Sequence, residues 1–317
     1  MKTIIIFLVL SCLVFTGSRA DGSNMEGDWV KEYGIRIELS VSTCTIRYEN
    51  KYYMYCTMMG GVHLAISDDG LNFIDQGVVI THGYPGDPDF AGAHDPTVIE
   101  LPNGSLRMFY SGNRQNYNGY ERYISLCSAV STDGINWVKE GMIMEPDLTD
   151  DGQMSVPDAV EFPNGELWIY YTFGFATENS LRAVVYNGPN LDYENLYNLN
   201  NWRRQDLNGF GKNSMDPDVI ISSPSPLSLR LFFALGPEIP DDPKEMYGPE
   251  IYSATSSDGI NWSVGAQPEI IATKPLEGVG VGDPDVISIG DDRYRMYYYG
   301  MPMPGGEPQD ILSALSP

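Results

Sequence analysis

Six aspartates, Asp95, Asp158, Asp216, Asp218, Asp283 and Asp285, recur at matched places in a repeated phrase. The phrase reads "HDPTVIELPNGSLRMFYSG" from His94, "VPDAVEFPNGELWIYYTFG" from Val156, "MDPDVIISSPSPLSLRLFFALG" from Met215 and "GDPDVISIGDDRYRMYYYG" from Gly282. A fifth copy, "STCTIRYENKYYMYCTMMG" from Ser42, has neither Asp nor Pro at its start. Carboxyls brought together repel one another, so one is pushed to a raised pKa while another stays ionised. That difference is what acid–base chemistry on a glycosidic bond requires. Pro96, Pro217 and Pro284 follow three of the acids and predict an extended backbone before them.

The elements that must position these acids are readable from the same phrase. An apolar run of about six residues leads to a turn (Pro-Asn-Gly, Glu-Asn-Lys or Gly-Asp-Asp), and an aromatic run follows, the pattern of a β-hairpin. A third run ends in "SDDGLNF" at Ser67, "STDGINW" at Ser131 or "SSDGINW" at Ser256, which read as structural Asp-Gly turns. A short fourth run closes the unit. Five units of four strands with little helical periodicity predict an all-β, five-bladed β-propeller over residues 21–317. Its innermost strands would aim the acids at one channel mouth. The fifth unit stops at "ILSALSP", while "GDWVKEYGIRI" near the N-terminus resembles "GINWVKEGMIM" after Gly134. Trp29 to Ile37 is therefore expected to supply the outer strand of the last blade and protect its edge. In the third unit "YNGPNLDYENLYNLNNW" replaces the Asp-Gly turn and predicts an insertion with a short helix.

Residues 1–20 read as a signal peptide: Lys2, an apolar run from Ile4 to Phe15, then Ser18 and Ala20 before a cleavage site. The expected mature protein is secreted or periplasmic. The full chain's net charge of −24 argues against nucleic acid and anionic membranes as partners. Cys44 and Cys56 flank one hairpin turn, and an oxidising compartment would let them pair; Cys127 reads as a buried thiol. No zinc-ligand spacing is present. His63 and His82 read as structural, while His94, beside Asp95, is a candidate ligand contact. Asn103 and Asn261 stand in Asn-x-Ser sequons.

The repeated "DPxV" starts, "PNGxLxxFY" hairpins and "SxDGxNW" turns resemble the five-bladed propeller glycoside hydrolases, which include arabinanases and β-xylosidases and have levansucrases and invertases as relatives. The resemblance covers essentially the whole chain after the leader. It implies an Asp base, a second Asp that tunes pKa, and a Glu acid acting on a carbohydrate, with no cofactor required. Asp95, Asp216 and Asp283 match the family's Asp-Pro starts. Ser42 stands where the family often carries its base, and no strand begins with the Glu-x-Pro that usually holds the acid. Glu250, in "YGPEIYSA", is the nearest replacement. The expected site thus comprises Asp95, Asp216, Asp283 and Glu250, with His94, Asp158, Asp218 and Asp285 beside or beneath them. Two other readings stand: a sugar-binding propeller without turnover, and a propeller whose acids hold a cation such as Ca²⁺ in the channel.

Overall fold

The computed structural model describes residues 29–174, 179–237, 248–273, 277–301 and 309–316. The expected leader and its expected cleavage after Ala20 lie outside the described residues. Five four-stranded antiparallel sheets form the blades of a propeller. After the short β1 (Val30–Lys31), the first blade holds β2 (Val41–Tyr48), β3 (Lys51–Met58), β4 (Gly61–Ser67) and β5 (Ile74–Thr81). The second holds β6 (Gly92–Glu100), β7 (Leu106–Tyr117), β8 (Tyr120–Ser131) and β9 (Trp137–Met144). The third holds β10 (Ser155–Glu161), β11 (Leu167–Phe173), β12 (Ser180–Tyr186) and β13 (Trp202–Asp206). The fourth holds β14 (Ser214–Pro224), β15 (Leu227–Leu235), β16 (Glu250–Ser256) and β17 (Ser263–Val264). The fifth holds β18 (Gly280–Gly290), β19 (Arg293–Met301) and β20 (Asp310–Leu315). The innermost strands β2, β6, β10, β14 and β18 touch in that order, and β18 returns to β2.

The N-terminus closes the ring as its sequence predicts. β1 lies on β20, with Val30 opposite Leu315 and Lys31 opposite Ala314. The regular strand covers only part of Trp29 to Ile37, but main-chain bonds continue from Glu32, Arg36 and Ser40 to Ser313, Ile311 and Gln309. Trp29 packs edge-on against Phe232 of the fourth blade. The expected insertion in the third blade carries helix α1 (Tyr193–Tyr197), capped by the Asp192 carboxylate, which accepts from the Asn195 N–H.

The Asp-Gly turns are built alike. In each, the serine hydroxyl accepts the glycine N–H, and Asp69, Asp133 or Asp258 accepts the next two backbone N–H groups. Gly70, Gly134 and Gly259 hold φ of 71°, 72° and 76°, so the turn requires glycine. A buried tyrosine of the preceding blade latches onto each one. Tyr55 donates to Gly134 O, Tyr170 to Gly259 O and Tyr297 to Gly70 O, at 2.8, 3.2 and 2.7 Å. At the same place on β7 and β15 stand Phe109 and Phe232. The blades after these two have no Asp-Gly turn, so a buried hydroxyl there would lack that acceptor.

The Cys44–Cys56 disulfide is not formed, and both thiols are free. A two-residue turn, with Glu49 and Asn50 at φ 49° and 64°, sets Tyr48 opposite Lys51. That register pairs Cys44 with Tyr55 and Thr43 with Cys56, so the two thiols point to opposite faces of the sheet. Cys127 is a buried free thiol, as expected. No helix among the described residues is long and apolar enough to cross a membrane.

Candidate active site

Every innermost strand begins with the same irregularity. The register slips by one residue, and the extra residue is Ser42, Asp95, Val156, Asp216 or Asp283. Each is left-handed, with φ of 46°, 52°, 48°, 57° and 46°. The extended backbone expected before the prolines is therefore not found. The bulge turns each of these side chains toward the channel mouth, and a proline in the ladder gap has no N–H to leave unpaired. A left-handed backbone costs a non-glycine residue about 1–2 kcal/mol, most conspicuously at the β-branched Val156. Five such positions persist because the surrounding structure holds each one.

The hold comes from the neighbouring blade. The N–H of Asp95 donates to Thr57 Oγ1 (2.8 Å), that of Val156 to Ser111 Oγ (3.2 Å) and that of Asp216 to Thr172 Oγ1 (2.9 Å). In the fourth and fifth blades the corresponding strand residues are Ala234 and Tyr299, which offer no such hydroxyl. There the acids take over. Asp283 N–H donates to Asp216 Oδ2 (3.4 Å), and Ser42 donates to Asp283 Oδ2 through both N–H (3.2 Å) and Oγ (3.0 Å). The Tyr299 ring occupies the space that a Cβ on Gly282 would need.

Asp95, Asp216 and Asp283 line one cavity of about 340 Å³ together with Ser42, Val156, Thr172 and Tyr299. The order around the ring matters. Asp216 and Asp283 are adjacent, while Ser42 and Val156 separate Asp95 from them on either side. Burial tends to raise Asp95, but the charge and 2.7 Å hydrogen bond of His94 Nδ1, with the Ser111 hydroxyl, outweigh it and hold the carboxyl at about 2. Burial, then the charge of Asp95, pushes Asp216 up to about 7. Burial, then Asp216 and Asp95, pushes Asp283 well above the ordinary carboxyl range. The ring therefore holds one ionised carboxylate facing a pair that retains a proton.

The remaining expected residues fall into three places. His94 is not among the cavity's lining residues; it backs Asp95 from behind. Asp158, Asp218 and Asp285 lie one pleat beneath and form part of a belt. Cys44 Sγ accepts the N–H of Val98, Thr97 Oγ1 that of Ala159, Asp158 that of Val219 and Asp218 that of Val286, and Thr45 stands beside Asp285 to close the circle. Their geometry ties strands together beneath the cavity. Glu250 is not among the lining residues; it opens the third strand of its blade and accepts from the Tyr252 hydroxyl. Its place next to the mouth in the chain did not bring it in, because third strands stand away from the axis.

A channel cation fits these residues poorly. Asp158 and Asp218 each already accept a backbone N–H, and no group of three or more ligating side chains converges among the described residues.

Sequence reasoning missed Arg122, Gln153, Asn179 and Gln309, which also line the cavity. All four lie outside the repeated phrase. Arg122 rides on the long β7–β8 hairpin, and Gln153 on the loop entering β10. That loop is clamped by buried Asp150, which accepts from Tyr171, Arg182 and Arg204. Asp89 (Tyr110, Lys139) and Glu277 (Tyr298, Lys31) clamp the loops entering β6 and β18 in the same way. Asp89, Asp150 and Glu277 each stand six residues before a left-handed residue, a spacing the sequence already displays.

No family model and no curated protein matches the chain by sequence. Solved structures do match. One is a thermostable family-43 glycoside hydrolase, 14% identical, with a TM-score of 0.63 over 90% of this chain and 91% of the other. An endo-1,4-β-xylanase from Bacteroides thetaiotaomicron is 16% identical, with a TM-score of 0.63 over 88% and 91%. An α-L-arabinofuranosidase from Lactobacillus brevis is 12% identical, with a TM-score of 0.61 over 88% and 91%. The chain therefore has the five-bladed β-propeller fold of these glycoside hydrolases.

Proposed function

We propose that the protein is a secreted glycoside hydrolase that acts at the channel mouth. The observation that carries this reading is the ring order: an ionised Asp95 on one side, and an Asp216–Asp283 pair with a retained proton on the other. A glycosidic bond lying between them meets a base and an acid at once. Asp95 takes a proton from the attacking water, and the pair gives one to the leaving oxygen. The pair fills the role first assigned to Glu250. Protonation is shared between its members, so the proton belongs to the pair rather than to one residue. The fold likeness to hydrolases supports the reading as analogy.

The test is turnover across a panel of aryl glycosides and plant or algal polysaccharides, followed by a pH profile on any substrate found. kcat/KM should stay high in mildly acidic solution and fall as the pair loses its proton, from about pH 7 upward. A profile that climbs through neutrality would remove the pair as the acid. A second reading, sugar binding without turnover, draws on the absence of a glutamate from the cavity lining among the described residues. Saturable sugar binding with no hydrolysis at any pH would establish it instead.

A further inference from the structure

The chain's overall acidity favours neutral or cationic ligands, but the cavity rim departs from that trend. β7 and β8 run for 12 residues each and carry Arg122 to the cavity. The other arginines on this hairpin are committed: Arg107 to Glu140, Arg114 to Glu145. Arg122 is exposed and has no carboxylate within salt-bridge distance among the described residues. Eight of the described arginines are ion-paired in this chain of 43 acids and 19 bases, and Arg122 is not among them. It also stands where burial and mutual repulsion leave the Asp216–Asp283 pair holding a proton, so the floor presents less negative charge than its composition suggests. The lining also holds carboxamides, from Gln153, Asn179 and Gln309, and the buried Oδ1 of Asn179 has no partner among the described residues. Carboxamides suit sugar hydroxyls, which both donate and accept. A guanidinium only donates, and its planar fork matches an oxyanion.

We propose that the cavity takes a sugar bearing an anionic group, a uronate carboxylate or a sulfate ester, and that Arg122 binds that group. The inference rests on the carbohydrate reading above and adds the charge class of the ligand. Arg122 is then the specificity residue: it holds the anionic substituent at the rim while the reacting carbon lies over the carboxyls.

The probes are polygalacturonate and alginate for the carboxylate arm, a sulfated galactan for the sulfate arm, and arabinan, xylan and galactan as neutral polymers. Affinity is measured at about 0.15 M ionic strength, where long-range attraction is screened. Wild type is compared with Arg122→Gln and with Arg293→Gln, which removes the same charge from the exposed start of β19 in the fifth blade. Wild type should bind at least one anionic polymer more tightly than every neutral one. Arg122→Gln should weaken that binding roughly tenfold or more, the scale of a hydrogen-bonded charged contact, and Arg293→Gln by less than about twofold, as for an exposed charge. The polymer preferred identifies the oxyanion. Binding to neutral polymers alone, binding to none, or equal losses in the two variants would overturn the proposal. Hydrolysis of neutral glycosides that ignores Arg122→Gln would overturn it too, yet leave the hydrolase reading standing. Arg122-dependent binding without hydrolysis at any pH would support the proposal and defeat the hydrolase reading.

Discussion

Ser42 donates to Asp283 Oδ2 twice, through its N–H at 3.2 Å and its Oγ at 3.0 Å. This contact explains how the first blade can lack an acid at its start. The position that would have added a fourth carboxyl supplies two donors instead, and these, unlike another charge, can be accommodated beside Asp283. Val156 does the corresponding job on the far side of Asp95 by supplying no charge at all. The two breaks in the repeat are what split the ring into one carboxylate and one pair.

The belt beneath makes stability depend on pH. Burial raises Asp285 to about 7 in the folded chain, against about 4 for a free Asp. A raised carboxyl pKa means that the folded state holds the extra proton. Its contribution is fully present below about pH 4 and is lost as pH climbs from there through about 7. Asp285→Asn keeps the shape and removes the charge. Relative to wild type it should gain stability between pH 5 and pH 8, on the order of a few kcal/mol. Denaturant melts at the two pH values check this, and an offset that does not change with pH would contradict it.

The blade-to-blade latches can be tested by their exceptions. Tyr170→Phe leaves the buried Gly259 carbonyl without its hydroxyl donor and should cost about 1–2 kcal/mol. Tyr55→Phe and Tyr297→Phe should behave alike. Phe109→Tyr places a hydroxyl where the next blade has no Asp-Gly turn, so it should destabilise rather than help. Equal and negligible effects in both directions would show that the latches carry no stability.

Ring closure by the N-terminus gives a third expectation. A chain beginning at Ser40 loses β1 and the bonds from Glu32 and Arg36, and so exposes β20 as an edge. It should melt less cooperatively and associate at concentrations where the longer chain does not. An unchanged thermal transition would contradict the closure.

Much of this was legible in the sequence because the repeat writes it five times. The four-strand unit, the missing last strand and its N-terminal replacement followed from comparing copies, and so did the meeting of Asp95, Asp216 and Asp283. The rest turns on single residues that periodicity does not report. One bulged residue replaces the extended backbone that Pro96 suggests, and one residue of register sends Cys44 and Cys56 to opposite faces. Glu250 drew attention for its type, but its strand is third from the axis. Arg122 and Gln153 enter from a lengthened hairpin and a connecting loop, whose course is set by ion pairs such as Asp150 with Arg204 rather than by the repeat.

In the proposed mechanism Asp95 is the ionised base opposite a proton-holding pair. Turnover of Asp95→Asn on the best substrate of the panel tests it most directly, with the thermal transition of the same preparation as a check on folding. The expected result is a loss of at least about two orders of magnitude in kcat, the scale of a general base, from a protein that still folds. A folded Asp95→Asn protein with near-normal kcat would contradict it.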